Sequence, residues 1–151
     1  MLKTFLKTEG RVLLALEDDV VFKDLQALDA ALTELKQWHI LYLGANITDM
    51  VFGIKENQPV GVSPHLYRIR RAWTSHAIAY TREMVEVIVR DYPAETFEMY
   101  DNWLSEKMLP LYDAYLVNPM VAYQRPGRSD LWGCQTDYTG AFEWGNKFMA
   151  K

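Results

Sequence analysis

Hydrophobic and polar positions fall in blocks along this chain, and the blocks change from strand-like to helix-like spacing. The run Val-Leu-Leu-Ala-Leu after Arg11 is short and continuous, and it stops abruptly at Glu17-Asp18-Asp19. Its length and boundaries predict a buried strand of a parallel or mixed sheet, with acids at its C-terminal end. From Asp24 the spacing lengthens to three and four, through Leu25, Leu28, Leu32 and Leu35. That pattern predicts an amphipathic helix with Asp24 as its N-cap and Lys36 near its end. His39 to Leu43 reads as a second strand closed by Gly44, so residues 11–43 take the strand-helix-strand form of a parallel crossover.

Residues 45–65 carry Asn46, Gly53, Asn57, Pro59, Gly61 and Pro64, a long connection with room for a short hairpin. Loops of this length are often functional. Two extended runs follow, Leu66 to Arg71 and Ser75 to Tyr80. Thr81 then opens a helix carrying Met84, Val85, Ile88 and Val89. A further helix runs from Asp101 to a point before Pro110, because proline disfavours helical geometry in the residue that precedes it. Tyr112 to Val117 is the last strand, and the chain beyond Pro119 reads as irregular. No repeat or flexible linker divides the sequence. The expected organisation is one domain over 1–151: a helical remnant at 1–10, an α/β core at 11–118 and an irregular segment at 119–151.

Composition narrows the function classes. The 151 residues suit a single domain, and a chain that is 50% hydrophobic and 13% aromatic is not a disordered tail. With 16 basic and 20 acidic residues the net charge is −4, which gives no overall footprint for nucleic acid. The one cysteine, Cys134, excludes an internal disulfide and a Cys-rich zinc site, and makes a reducing compartment the default. No stretch approaches the roughly 18 apolar residues that span a bilayer. A soluble, cytoplasmic protein is expected, with peripheral contact at the inner membrane left open.

The acidic triplet is the most informative chemistry. In an extended segment, side chains at i and i+2 point the same way, so Glu17 and Asp19 converge while Asp18 points aside. Paired carboxylates repel unless a proton or cation intervenes, and oxygen ligands suit Mg²⁺ or Mn²⁺. A solvated turn leading into the next helix is the plainer alternative. His39, His65 and His76 lack metal-binding spacing. Arg68 with Arg70, or Arg125 with Arg128 around Pro126-Gly127, offer forks for phosphate, against the plain reading of solvated edges and loop tips. Among the tryptophans, Trp132 and Trp144 lie in the irregular segment and are the candidate acceptor contacts, whereas burial is the commoner use of Trp73 and Trp103.

The run Leu13 to Phe22, Leu-Leu-Ala-Leu-Glu-Asp-Asp-Val-Val-Phe, resembles the acidic motif of family 25 glycosyltransferases, the group of lipooligosaccharide and collagen galactosyltransferases. Trp38-His-Ile-Leu-Tyr-Leu-Gly44, Ala77-Ile-Ala-Tyr-Thr81 and Tyr100-Asp-Asn-Trp-Leu104 follow in the family's order. Val117 to Gln124, with Ser129-Asp130, resembles its late segment. Together these segments span most of residues 11–132.

The resemblance implies a GT-A-like mixed sheet flanked by helices, binding a nucleotide sugar with Mn²⁺ or Mg²⁺. It places Glu17 and Asp19 at the ribose and the cation-bound diphosphate, with Asp19 the better metal ligand, and Asp101 as the base for an acceptor hydroxyl in an inverting transfer. The implied activity is hexose transfer, of galactose or glucose, to a surface glycan such as lipooligosaccharide. Only ten residues precede Arg11, so no segment matches the family's earlier nucleotide-binding strands. The expectation is therefore an N-terminally truncated fold whose donor site is completed by a homodimer or partner chain. A non-catalytic carbohydrate-binding or interaction module is the opposing reading. A Mg²⁺-dependent phosphotransfer or hydrolase domain ranks below both, since no Gly-rich phosphate loop is present.

Overall fold

The computed structural model of the chain describes residues 1–47, 57–96, 98–129 and 133–150. Ten strands and five α-helices are described within them. The strands are β1 (Val12–Leu16), β2 (Val20–Phe22), β3 (Ile40–Tyr42), β4 (Val60–Ser63), β5 (Leu66–Arg68), β6 (Ala77–Thr81), β7 (Ala114–Val117), β8 (Ala122–Gln124), β9 (Gly127–Arg128) and β10 (Gln135–Thr136). The helices are α1 (Leu2–Phe5), α2 (Gln26–Glu34), α3 (Arg82–Asp91), α4 (Tyr100–Trp103) and α5 (Thr139–Met149), and α4 runs on into a π-helical turn, Leu104–Met108.

Six strands form one mixed sheet in the order β1-β6-β3-β7-β5-β4, in which only β3 and β7 pair in parallel. The α/β class and mixed sheet expected from the sequence are present. Both β1 and β3 run antiparallel to β6, which lies between them, so they share a direction without being neighbours. The crossover is therefore right in direction and wrong in adjacency.

Strand alternation sorts the core onto two faces. Ile40, Tyr42, Ile78 and Tyr80 point to one face, against Met84, Val85 and Ile88 of α3 and against Trp103, Leu104 and Phe142. Fully burying each large aliphatic chain contributes roughly 1.5–3 kcal/mol, so this face carries most of the stability. Thr81 caps α3 as expected, its hydroxyl accepting from the Met84 N–H at 3.3 Å. Leu41, Leu43, Ala77, Ala79 and Val117 point the other way, onto α2.

Three expectations are corrected. The buried face of α2 is Ala27 and Ala31, while Leu25 and Leu32 are half exposed, because the small residues let the helix close on the sheet. Asp24 precedes the cap residue Leu25 and accepts from the Gln26 N–H at 3.2 Å, at a φ of 40°. Strand β1 is an edge strand: Ala15 is buried and Leu13 partly so, but Val12, Leu14 and Leu16 face outward. A run apolar on both faces does not report which face finds a cover.

Nor is the segment after Pro119 irregular. It holds β8 to β10 and α5, and α5 buries Phe142, Gly145 and Met149. Gly145 is required there, since a Cβ would sit 2.8 Å from Met120 Cε. Gly44 plays a similar part at the end of β3, where a Cβ would fall 1.9 Å from the Ala122 carbonyl oxygen. That close approach lets Val121 and Ala122 both donate to the Leu43 carbonyl, and it docks β8 beside the end of the sheet. The hairpin does not lie wholly within the long connection: β4 falls in it, and β5 belongs to the extended run that begins at Leu66; residues 48–56, which include Gly53, lie outside the described residues.

Candidate functional site

One end of the sheet, where β1, β3 and β7 finish and β6 begins, opens into a cleft of about 890 Å³. Four separated segments line it: Glu17-Asp18-Asp19, Trp73-Thr74-Ser75, Met99 to Asn102, and Gln124 to Ser129, with Asn46, Thr136 and Tyr138 closing the rim. The ribbon of β2 and β8 brings the first and last of these together. Val20 stands opposite Gln124, and one step further the Arg125 N–H donates to the Asp19 carbonyl at 2.9 Å. The acids that end β1 and the arginines that follow β8 are thus held on one wall.

Glu17 accepts from the Ser75 hydroxyl at 2.7 Å and, weakly, from Gln124 Nε2 at 3.4 Å. Its carboxyl is held above the usual range, first by burial, then by the neighbouring negative charges of Asp19, Asp101 and Asp18, against the lowering pull of Ser75. Asp19 Oδ1 and Gln124 Oε1 are buried acceptors with no hydrogen-bond partner, and the indole Nε1 of Trp73 is a buried donor in the same condition. Buried polar atoms are normally paired, so unpaired ones gathered in a cleft mark where a ligand atom belongs. Asp101 sits in the first turn of α4, whose cap is Met99, and Asp101 Oδ1 accepts from the Asn102 N–H at 2.9 Å. Asp101 thus serves the start of α4 with one oxygen while its side chain lines the cleft.

The wall behind the acids is strained. Thr74 has a φ of 71°, a costly conformation for a β-branched residue. Its hydroxyl lies 3.2 Å from Nδ1 of His76, whose Nε2 lies 3.3 Å from the Ala122 carbonyl oxygen. His76 is fully buried and its pKa is lowered by that burial, partly offset by the Ala122 carbonyl and by Asp19. It supports the cleft from behind. The Tyr100 hydroxyl donates to that of Tyr80 at 3.0 Å, and burial pushes the Tyr100 pKa up to about 12.

The cleft gathers Glu17, Asp19, Asp101, Arg125 and Arg128 from the residues singled out in the sequence. Trp144 does not join them: it is partly buried against the core and stacked on Phe148 at 5.6 Å. Trp132 lies outside the described residues. Of the other candidate fork, Arg68 is held by Asp113 at 2.7 Å, and Arg70 lies past the end of β5; neither lines the cleft. His39 accepts from the Asp113 N–H at 3.2 Å, and His65 lies 2.7 Å from Glu34; neither enters the cleft. Sequence reasoning missed Thr74 and Ser75 and ranked Trp73 too low, because the bend that turns them inward carries no glycine or proline to announce it.

Among the described residues, no three His, Cys, Asp or Glu side chains cluster as a self-sufficient metal cage. The orphaned oxygens of Asp19 and Gln124 nonetheless fit a hard divalent cation of the kind that takes one or two protein oxygens and completes its shell with phosphate and water. No family model matches the chain, and no curated protein or solved structure matches it either. No helix among the described residues is long and apolar enough to cross a membrane.

Proposed function

We propose that this domain is a glycosyltransferase of GT-A-like architecture. It transfers a hexose, galactose or glucose, from a nucleotide sugar to a surface glycan, in the cytoplasm beside the inner membrane. The observation that carries the reading is the meeting, in one cleft, of two orphaned acceptor oxygens, a carboxylate at a helix start and two arginines. Asp19 and Gln124 would hold Mn²⁺ or Mg²⁺, with Glu17 beside them toward the ribose. The bound cation supplies neutralisation of the charge that gathers on the departing diphosphate.

The chain's own groups do the rest. Arg125 and Arg128, exposed on the rim, offer forked donors to the phosphate oxygens. Asp101 takes the proton of the acceptor hydroxyl as that oxygen bonds to the anomeric carbon. The bond from that carbon to the diphosphate oxygen breaks on the opposite side, which inverts the centre and releases the nucleoside diphosphate. Trp73, at the cleft wall with an unpaired indole N–H, is placed to meet a sugar hydroxyl.

The test is a panel of nucleotide sugars and glycan acceptors assayed with added Mn²⁺. An Asp101→Asn variant should lose about 10²–10⁴-fold in turnover while keeping its fold and donor affinity. Glycan binding with no donor binding would instead select the non-catalytic module.

A further inference from the structure

Strand β1 is left with one side unpaired. In its ladder with β6, Glu17 N donates to the His76 carbonyl at 2.9 Å and Arg82 N to the Arg11 carbonyl at 2.8 Å. The odd-numbered residues of β1 therefore direct their backbone groups at β6, and the N–H and C=O groups of Val12, Leu14 and Leu16 point away from the sheet. The side chains of the same three residues are 49%, 47% and 44% exposed, on the face that α2 leaves uncovered. Proteins normally protect such an edge with a charge, a proline or a bulge. The opposite edge, β4, has a break in register between Gly61 and Ser63, and Pro59 stands before it. Val-Leu-Leu-Ala-Leu has no such protection.

We propose that the free edge of β1 pairs with β1 of a second copy of this chain, antiparallel about a two-fold axis at Leu14. That register sets Leu14 against Leu14 and Val12 against Leu16, so the exposed apolar side chains cover one another. It also pairs the outward backbone groups of all three residues, joining two six-stranded sheets into one of twelve strands. The flanking positions agree: Arg11 of each copy falls opposite Glu17 of the other. Arg11 makes no ion pair among the described residues, and Glu17 is the carboxylate crowded by Asp18, Asp19 and Asp101. A self-complementary strand with opposite charges at its two ends favours a second copy over an unrelated partner. The cleft rim then receives a cation from the neighbouring subunit.

Sedimentation equilibrium on the full chain tests this, with circular dichroism as the check on folding. The wild type should sediment as a dimer. Arg11→Glu and Glu17→Arg, each alone, place like charges across both ends of the interface, and each should weaken dimerisation by roughly tenfold or more. An equimolar mixture of the two variants should restore the dimer, because the mixed pair carries opposite charges at both ends. Leu14→Lys should give a folded monomer. A monomeric wild type, or a dimer indifferent to Leu14→Lys and to both charge reversals, would overturn the proposal. So would charge variants that fail to recover on mixing while remaining folded.

Discussion

Glu34 and Glu17 are both partly desolvated glutamates that accept from a serine, and they behave in opposite ways. The Glu34 carboxylate is surrounded by donors: the Ser63 hydroxyl at 2.6 Å, the His65 N–H at 3.1 Å and His65 Nδ1 at 2.7 Å. Those bonds, His65 first, hold its pKa below 4.5. Glu17 has Ser75 as its one close donor and three acids around it, and its pKa is raised. A carboxylate that the protein has already satisfied ties the end of α2 to the β4–β5 hairpin. One that the protein has left crowded stands where an outside cation or proton is wanted, which is why the cleft and not the Glu34 cluster is the candidate site.

The sharpest break in this comparison is at Asp19. Asp19→Ala should reduce metal-dependent sugar transfer by about a hundredfold or more, with little change in Tm, in a coupled assay of nucleoside diphosphate release. Glu34→Gln should do the reverse, leaving turnover intact and lowering Tm at pH 7. Its folded pKa lies below 4.5, so its stabilisation is present above that pH and is lost as pH falls through the folded value. The Tm gap between wild type and Glu34→Gln should therefore close in acid.

In the monomeric Leu14→Lys background, where no Arg11 of a second copy faces it, Glu17→Gln should have the smallest effect, a slight rise in Tm at pH 7 in the absence of added metal. The folded pKa of Glu17 lies above its unfolded value of 4.5, so the folded state holds the proton more tightly and loses stability as pH rises through that window. Removing the charge should flatten that part of the Tm profile. A fall in Tm for Glu17→Gln, or a rise for Glu34→Gln, would erase the distinction between the two carboxylates.

Much of this fold was legible from period alone. Strands β1, β3, β6 and β7 and helix α3 fall where alternation and capping place them, because each element's apolar pattern serves one local purpose. What escaped was set by neighbours. The leucines of α2 advertise a face, but Ala27 and Ala31 form the buried one. In α5, Gly140, Gly145 and Asn146 argue against a helix, and burial of Phe142 and Met149 overrides them.

The site divides in the same way. Glu17, Asp19, Asp101, Arg125 and Arg128 were visible as charged residues beside strand ends and helix starts, and the β2–β8 ribbon gathers them. Trp73, Thr74 and Ser75 were hidden because their inward turn depends on a positive φ at Thr74, held from behind by His76.

The most direct measurement of the central claim is a calorimetric titration of the full chain with uridine diphosphate, with and without Mn²⁺, repeated on Asp19→Asn. The account predicts binding that requires Mn²⁺ and is lost in the variant. No binding under any condition, or equal binding by wild type and Asp19→Asn, would contradict it.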